Sequence, residues 1–321
     1  MGRLRLTPEQ YRRVTVVAAV LVALIIVTGA MVRLTGSGLG CPEWPNCAAG
    51  SFKPTEELGV HGWVEFVNRM VTGLVSLAVI VAVLGALVRT PRRRDLTWLA
   101  AGLVLGVVAQ ALLGALVVKK LLSPPFVMGH FLLSAVLLAD ALVLVWRAGV
   151  PAGVRTPVRV PAPVHRVAIA MVVLASAVLV TGTVVTGAGP HSGDAGSAAD
   201  ISLRATRLDV RITTVARIHS LTVWVFLASV LLLLWMLRRG RADRSAQRRT
   251  TVLMVLIVAQ GAVGYLQYAT DLPVALVAIH VAGATAVFSA AVWVLLGCRE
   301  PVDAAVGAPA APVVRPANAS A

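Results

Sequence analysis

Long apolar runs separated by short polar connections dominate the pattern of this chain. Eight runs are each long enough to cross ~30 Å of hydrocarbon at ~1.5 Å per helical residue. Their approximate limits are 14–34, 66–88, 96–118, 125–146, 166–188, 215–237, 251–268 and 274–297. Transmembrane strands would alternate apolar and polar residues, and these runs do not. The pattern therefore predicts an all-α integral membrane protein with eight transmembrane helices.

A polar segment divides the eight spans into four and four. Residues 149–164 are rich in proline and basic side chains, which is typical of a linker. Residues 1–148 are then predicted to form an N-terminal four-helix bundle with an outer loop at 35–64, and residues 165–299 a C-terminal four-helix bundle. The tail 300–321, rich in alanine and proline, is predicted to be disordered.

The two halves repeat short motifs in the same order. The corresponding positions are Val27-Thr28-Gly29 and Val180-Thr181-Gly182, Gln110 and Gln260, His130 and His280, and Asn68 and His219. A repeat of four spans preserves orientation across the membrane. The repeat therefore predicts two pseudo-symmetric bundles related by an axis along the membrane normal.

Positive charge is concentrated in alternate connections. The net charge is +15, although only 13% of residues are charged and the mean hydropathy is +0.85. Most of the 29 lysines and arginines lie at the N-terminus and in the segments 89–94, 147–166 and 238–249. The positive-inside rule then places both termini in the cytoplasm. Because the charge follows membrane topology, it does not indicate binding of nucleic acid.

Two of the three cysteines lie close together in the first outer loop. Thiols outside the cytoplasm oxidise readily, so Cys41 and Cys47 are predicted to form a disulfide. A metal-binding pair or two free thiols are the alternatives. Cys298 falls at the inner end of the last helix and is predicted to be inert.

An acid, an amide and a base share one face of the second helix. Glu65, Asn68 and Arg69 have the spacing that places side chains together on a helix. Charged residues near bilayer depth usually face a protein interior or a site. The face is therefore predicted to contact a ligand, and a self-contained Glu65 to Arg69 ion pair near the interface is the alternative.

Four polar residues are predicted to lie at one depth. Asn68, His130, His219 and His280 each follow the outer start of an inward-running helix, ~5 to 10 Å below the outer boundary. Two imidazoles opposed across a bundle can ligate both axial positions of a haem iron. His219 and His280 are thus predicted to bind a haem, with two structural histidines as the alternative. Zinc would require further ligands.

The first half repeats this geometry with a change. His130 remains, but Asn68 stands where a second imidazole would be, so a porphyrin there would be open on one face. His61, predicted to lie two turns higher in the loop, is an alternative ligand. Glu65 beside an open haem face would move protons or stabilise developing positive charge. Arg33 is a candidate contact for a haem propionate, or an arginine that extends to the interface.

Three motifs resemble the haem A synthase family, over residues 14–297. They are the segment 32–45 together with Cys47, the segment Glu65-Phe66-Val67-Asn68-Arg69, and the segment 186–194. The family's usual pattern on the second helix is Glu-x-x-His-Arg, and this chain departs from it at Asn68. The first-loop motif is specific, because glycines, tryptophan and paired cysteines in that order do not follow from hydrophobicity alone.

The resemblance implies an oxidoreductase. The family converts haem O to haem A by oxidising a ring methyl to a formyl group, through hydroxylated intermediates, for use in cytochrome oxidase. The implied site residues are His219 and His280 on the iron of a resident haem b, His130 with Asn68 and Arg69 at the substrate haem, Glu65 as the catalytic carboxylate, and the Cys41–Cys47 disulfide.

The resemblance also implies location and partners. Haem O is the expected substrate, haem O synthase and the cytochrome oxidase assembly machinery are expected protein partners, and the bacterial cell membrane is the expected location. The electron donor or acceptor is not specified. The alternative function is a diheme membrane cytochrome that oxidises quinol and does not modify haem. A transporter is less consistent with the pattern, because transporter repeats usually break helices at the midplane.

Overall fold

Eight long helices make up the fold. A computed structural model describes residues 5–191, 193, 205–240 and 242–299, and this part of the chain contains no strand of a sheet. All eight helices are long and apolar enough to cross a membrane. They are α1 (Pro8–Leu34), α2 (Gly59–Val88), α3 (Arg94–Lys119), α4 (Pro124–Ala148), α5 (Ala162–Ala188), α6 (Ile212–Arg239), α7 (Arg244–Ala269) and α8 (Val274–Leu296). The predicted all-α, eight-span membrane fold is confirmed.

The helices extend beyond the apolar runs that predicted them. α1 begins at Pro8 because Thr7 and Gln10 form a capping box, in which each side chain accepts a hydrogen bond from the other's backbone N–H. α2 begins at Gly59, so the prediction that His61 lies in the loop was wrong. An apolar run marks only the part of a helix that contacts lipid, whereas hydrogen-bonded caps decide where the helix ends.

Each half is a closed ring of four helices. In the first half α1 packs on α2 and α4, and α3 packs on α2 and α4. The second half repeats this order, with α5 on α6 and α8, and α7 on α6 and α8. Alternate helices of a ring therefore face each other diagonally across its core.

The two rings join along four helices. α1 packs on α8, α4 packs on α5, and α4 and α8 pack on each other. Repeat-related side chains, Ile26 with Leu179 and Leu138 with Phe288, line the junction. The halves are thus a pseudo-symmetric pair.

The same strained turn joins the third helix to the fourth in each half. Leu121 and Leu122 have φ of 50° and 56°, and Asp271 and Leu272 both have φ of 59°. Such angles are uncommon for residues other than glycine. In both turns the second residue donates to a carbonyl five residues back, Val117 and Gln267 respectively. The repeat therefore extends to backbone detail that the sequence does not reveal.

An ion cluster ties the helices at the end that carries both termini, here called the inner end. Asp95 at the start of α3 accepts hydrogen bonds from Arg93 at 2.6 Å and from Arg147 of α4 at 2.7 Å. The linker packs against the end of α8, where the backbone N–H of Arg159 donates to the carbonyl of Cys298. Burial raises the pKa of the Cys298 thiol, which fits an unreactive side chain. The predicted disordered tail, 300–321, lies outside the described residues.

Candidate functional site

His219 and His280 meet in the core of the second ring. They come from α6 and α8, which face each other diagonally, and their ring centroids lie 6.5 Å apart with an angle of 72° between the ring planes. Two metal–nitrogen bonds of about 2.0 Å, with roughly 1.1 Å from each nitrogen to its ring centre, place two imidazoles on one metal about 6 Å apart. The separation of the histidines therefore suits a shared metal ion.

The surroundings of His219 orient its ring. Its Nδ1 lies 3.0 Å from the hydroxyl of Thr181, so Nε2 is the nitrogen left for a metal. Metal-binding histidines usually have their second nitrogen held in this way. A Cβ on Gly182 would lie 3.2 Å from Cε1 of the ring, so glycine at this position makes room for the imidazole.

His280 is half-buried, and its Nδ1 atom is fully buried without a partner in the described residues. A Cβ on Gly264 would lie 3.1 Å from its Cε1, which matches the contact between Gly182 and His219. The side-chain amide of Gln260 donates to the backbone carbonyl of His280 and fixes α8 against α7. Two imidazoles at metal spacing and an unsatisfied ring nitrogen fit a haem ligated by both histidines.

The first ring has the same scaffold around His130. Its Nδ1 is also buried without a partner in the described part of the chain, and a Cβ on Gly114 would lie 3.4 Å from its Cε1. Gln110 donates to the backbone carbonyl of His130 at 3.0 Å, as Gln260 does to that of His280. These contacts match the predicted correspondence between the halves.

Asn68 takes the place of His219 in the first ring. Thr28, which corresponds to Thr181, donates a hydrogen bond of 2.9 Å to Oδ1 of Asn68. No side-chain atom lies within 4 Å of a Cβ built on Gly29, because the shorter amide does not reach the space that the His219 ring fills beside Gly182. The Asn68 position is thus an altered copy of the His219 position. The Val-Thr-Gly repeat contained both threonines, but their contacts were not predicted.

Glu65 and Arg69 form an ion pair that also binds the disulfide loop. Nη2 of Arg69 lies 2.7 Å from Oε1 of Glu65. The other carboxylate oxygen accepts from the backbone N–H of Cys41 at 2.7 Å. Arg69 further donates to the carbonyls of Cys41 at 3.0 Å and Asn46 at 2.7 Å. The Glu65–Arg69 ion pair considered as an alternative is therefore present, but it is not self-contained, because both side chains also hold the outer loop on α2.

The outer loop is compact. The predicted Cys41–Cys47 disulfide is confirmed, and both cysteines are fully buried. A Cβ on Gly40 would lie 2.1 Å from the backbone carbonyl oxygen of His61, so only glycine allows this approach of the loop to α2. Nδ1 of His61 bonds to the hydroxyl of Ser37 at 2.9 Å. His61 thus takes part in the contact between loop and helix.

Arg33 joins the outer ends of the two halves. Its Nη2 donates to the carbonyl of Thr186 at the end of α5, at 3.2 Å. Its Nε is buried and, within the described residues, has no hydrogen-bond partner. Nearby, the backbone N–H of Gly38 donates to the carbonyl of Gly193. Part of the guanidinium is therefore available to an anionic group at the junction of the halves.

The structure groups the predicted residues into two sites and a loop anchor. His219 and His280 are brought together directly, and the repeat places His130 with Asn68 in the other ring. Glu65 and Arg69 lie under the disulfide loop. The roles of these residues as ligands or catalysts stay predictions.

Comparison with known proteins gives a consistent result. The family model COX15-CtaA, described as a cytochrome oxidase assembly protein, matches residues 12–201 and 215–319. A heme A synthase of Geobacillus kaustophilus is 34% identical over 110 residues, which cover 33% of this chain and 33% of the relative. One of Alkalihalophilus pseudofirmus is 32% identical over 131 residues, covering 40% and 43%.

A further heme A synthase, from Lysinibacillus sphaericus, is 38% identical over 101 residues, covering 31% of this chain and 32% of the relative. The chain thus spans between 32% and 43% of the length of these three relatives in the matched segments.

Replacing Gly40 with alanine is expected to displace the disulfide loop from α2. The added Cβ would clash with the His61 carbonyl, and overpacking of this kind costs about 1–3 kcal/mol. We expect a thermal unfolding midpoint lower by a few degrees, and faster reduction of the Cys41–Cys47 disulfide by a soluble thiol, measured by labelling of the released cysteines.

Gly73→Ala is the matched control, because a Cβ on Gly73 of α2 meets no atom within 4 Å. Equal reduction rates in the Gly40→Ala and Gly73→Ala variants would show that the close approach at Gly40 does not hold the loop.

Proposed function

The chain belongs to the COX15-CtaA family of cytochrome oxidase assembly proteins, and from this premise we propose that it is a haem A synthase. The proposal is that it oxidises the ring methyl of haem O to the formyl group of haem A, in the bacterial cell membrane with both termini in the cytoplasm. The observation that carries it is the histidine pair at metal spacing in one ring, with an altered copy of the same scaffold in the other.

The second ring is proposed to hold a resident haem b. His219 and His280 would hold its iron, and Thr181, through its contact with Nδ1, would leave Nε2 of His219 free to bind the metal. When bound, this haem would supply one-electron transfer.

The first ring is proposed to bind the substrate. His130 would hold the iron of haem O, and the amide of Asn68, already bonded to Thr28, would leave the opposite face without a strong ligand. The Nε–H of Arg33, which has no partner in the described residues, would donate a charge-assisted hydrogen bond to a propionate. Together these residues would hold the porphyrin in the first ring.

Glu65 is proposed to act through its charge. Both of its carboxylate oxygens already accept hydrogen bonds, from Arg69 and from the backbone of the loop. A carboxylate held this firmly can stabilise positive charge that develops on a substrate carbon, because it pays little reorganisation during the reaction. Arg69 would position it, and the loop would close the site from outside. Haem O synthase and the cytochrome oxidase assembly machinery would then be the neighbours that deliver substrate and receive product.

The proposed function is tested by the haem that the chain produces. The protein is expressed in a host that makes haem O and has no haem A synthase of its own, and the haems extracted from its membranes are separated by chromatography. We expect haem A with the wild-type chain and none with an empty vector. Haem B and haem O alone, with the protein present in the membrane, would contradict the proposal and favour the quinol-oxidising cytochrome.

Substitutions in the two rings are expected to affect the resident haem and the substrate reaction separately. In a host without haem O, His280→Ala should remove the low-spin haem b signal from the purified protein, because one of its two axial ligands is absent. His130→Ala should retain that signal but abolish haem A formation in a host that makes haem O. Cys298→Ala is the control, since the buried Cys298 lies at the inner end of α8. A haem b signal that survives in His280→Ala would disprove the ligand assignment.

Glu65→Gln and Arg69→Gln are expected to have similar effects on the loop but different effects on activity. Either change breaks the ion pair, so disulfide reduction should accelerate similarly in both variants. Haem A formation should fall about 100-fold or more in Glu65→Gln, on the scale of a lost electrostatic contact in the transition state, and less in Arg69→Gln. Equal losses of activity in the two variants would mean that Glu65 serves only to anchor the loop.

A further inference from the structure

Asp140 is a carboxylate inside the membrane-spanning part of α4. It lies eight residues before the inner end of α4 at Ala148 and ten after His130, or ~12 Å and ~15 Å along the helix. Its Oδ2 lies 3.0 Å from the place of a Cβ on Gly102 of α3, so it sits in a notch that glycine leaves open. Ionisable residues at such depth are costly and usually functional.

Asp140 has no partner in the described residues. It makes neither a hydrogen bond nor an ion pair there, whereas Asp95 and Glu65 each have an arginine. The helices packed against α4 are α1, α3, α5 and α8. Their titratable and charged residues are Glu9, Tyr11, Arg12, Arg13, Arg33, Arg94, Asp95, Lys119, His165, Arg166 and His280. All of these lie near helix ends or, for His280, towards the outer end, so among the residues that the structure describes no cation lies at the level of Asp140.

Asp140 belongs to a line of polar and small residues along the contact between α3 and α4. The levels that carry polar or small residues, from the inner end outwards, are Asp95 with Arg147, Gly102 with Asp140, Gly106 with Leu137, Gln110 with Ser134, and Gly114 with His130. The first two levels are ~10 Å apart along the helices, and the fully buried Leu144 lies between them. Gln110 donates to the Ser134 hydroxyl, which donates to the carbonyl of His130. The line therefore runs from the inner ion cluster to the proposed substrate histidine.

The second half lacks this line although its scaffold is the same. The positions that correspond to Asp140 and Ser134, offset by the same interval as His130 and His280, are Ala290 and Ala284. The position that corresponds to Gly102 is Val252, whose side chain takes up the space that glycine leaves open beside Asp140. The polar line is therefore specific to the half in which substrate oxidation is proposed, and absent where the resident haem is proposed.

We propose that the α3–α4 contact is a proton path between the cytoplasm and the N-terminal site, with Asp140 as its intramembrane carrier. The inference rests on the proposed function, because oxidation of a methyl carbon to a formyl carbon releases protons together with electrons. Two apolar levels interrupt this path. Leu144 lies between Arg147 and Asp140, and Leu137 lies between Asp140 and Ser134, over rises of ~10 Å and ~9 Å. The path requires water to bridge both levels during turnover.

The step assigned to Asp140 is a proton transfer alone. A proton arriving from the site forms an O–H bond on the carboxylate, and the same proton then passes to water at the inner end and restores the carboxylate. No electron is transferred at Asp140, and the transfer is reversible. The Asp140 carboxylate is desolvated in the membrane and has no neighbouring cation within the described residues. Both conditions favour the exchange of a proton at this group.

The first test needs no catalysis. A lipid-soluble carbodiimide reacts with protonated carboxyl groups in membranes, so the purified full chain in lipid vesicles is treated and its peptides are analysed by mass spectrometry. We expect modification at Asp140 and none at the ion-paired Glu65. Asp140→Asn should lose the modified peptide and Asp140→Glu should keep it. An unmodified Asp140 would overturn the proposal.

The second test measures turnover. Haem A formation should fall about tenfold or more in Asp140→Asn, with partial recovery in Asp140→Glu and an unchanged haem b spectrum in both. Glu9→Gln, which removes an exposed carboxylate at the start of α1, is the control. If the wild type forms haem A and Asp140→Asn is equally active, the proton path is overturned and the proposed function is not. A wild type that forms no haem A would overturn the proposed function and the path together.

Discussion

The absence of water from the bilayer is the constraint on which this structure depends. A polar side chain in hydrocarbon has to find its partner inside the protein, and in this chain the partners are supplied across helix contacts. Thr28 bonds to Asn68, Thr181 to His219, and Gln110 and Gln260 to the backbone of the opposite helix. Among the buried polar atoms that have no partner within the described residues are Nδ1 of His130 and of His280, which makes both histidines candidates for contact with a ligand.

Duplication gives the chain two copies of one scaffold with different chemistry. In the second copy two imidazoles meet at 6.5 Å, an arrangement suited to a haem that exchanges electrons and is not itself altered. In the first copy a shorter amide replaces one imidazole, and an ion pair and a disulfide loop cover the outer face. Under the proposed function, the substitution of one side chain on a retained backbone separates a cofactor position from a substrate position.

The carboxylates of the first half differ in whether they have a partner. Glu65 is satisfied by Arg69 and the loop, and Asp95 by Arg93 and Arg147, so both serve as anchors at the membrane boundaries. Asp140 lies between them without a partner. A carboxylate that stabilises nothing in the fold, in the half where chemistry is proposed, is best explained by a function in that chemistry.

Periodicity, charge and repeats in the sequence determined the eight spans, their division into two bundles, and the pairing of His219 with His280, because lipid requires apolar runs and a duplicated bundle requires matched positions. The cap that starts α1 at Pro8, the helical position of His61 and the partners of Glu65 were decided only by the tertiary structure. These features depend on contacts between residues far apart in the chain, such as the backbone of Cys41 against Glu65 and of Gly40 against His61. Asp140 shows the same limit, since its position in the sequence places it in the membrane, but only the packing of α3 on α4 shows that it has no partner there.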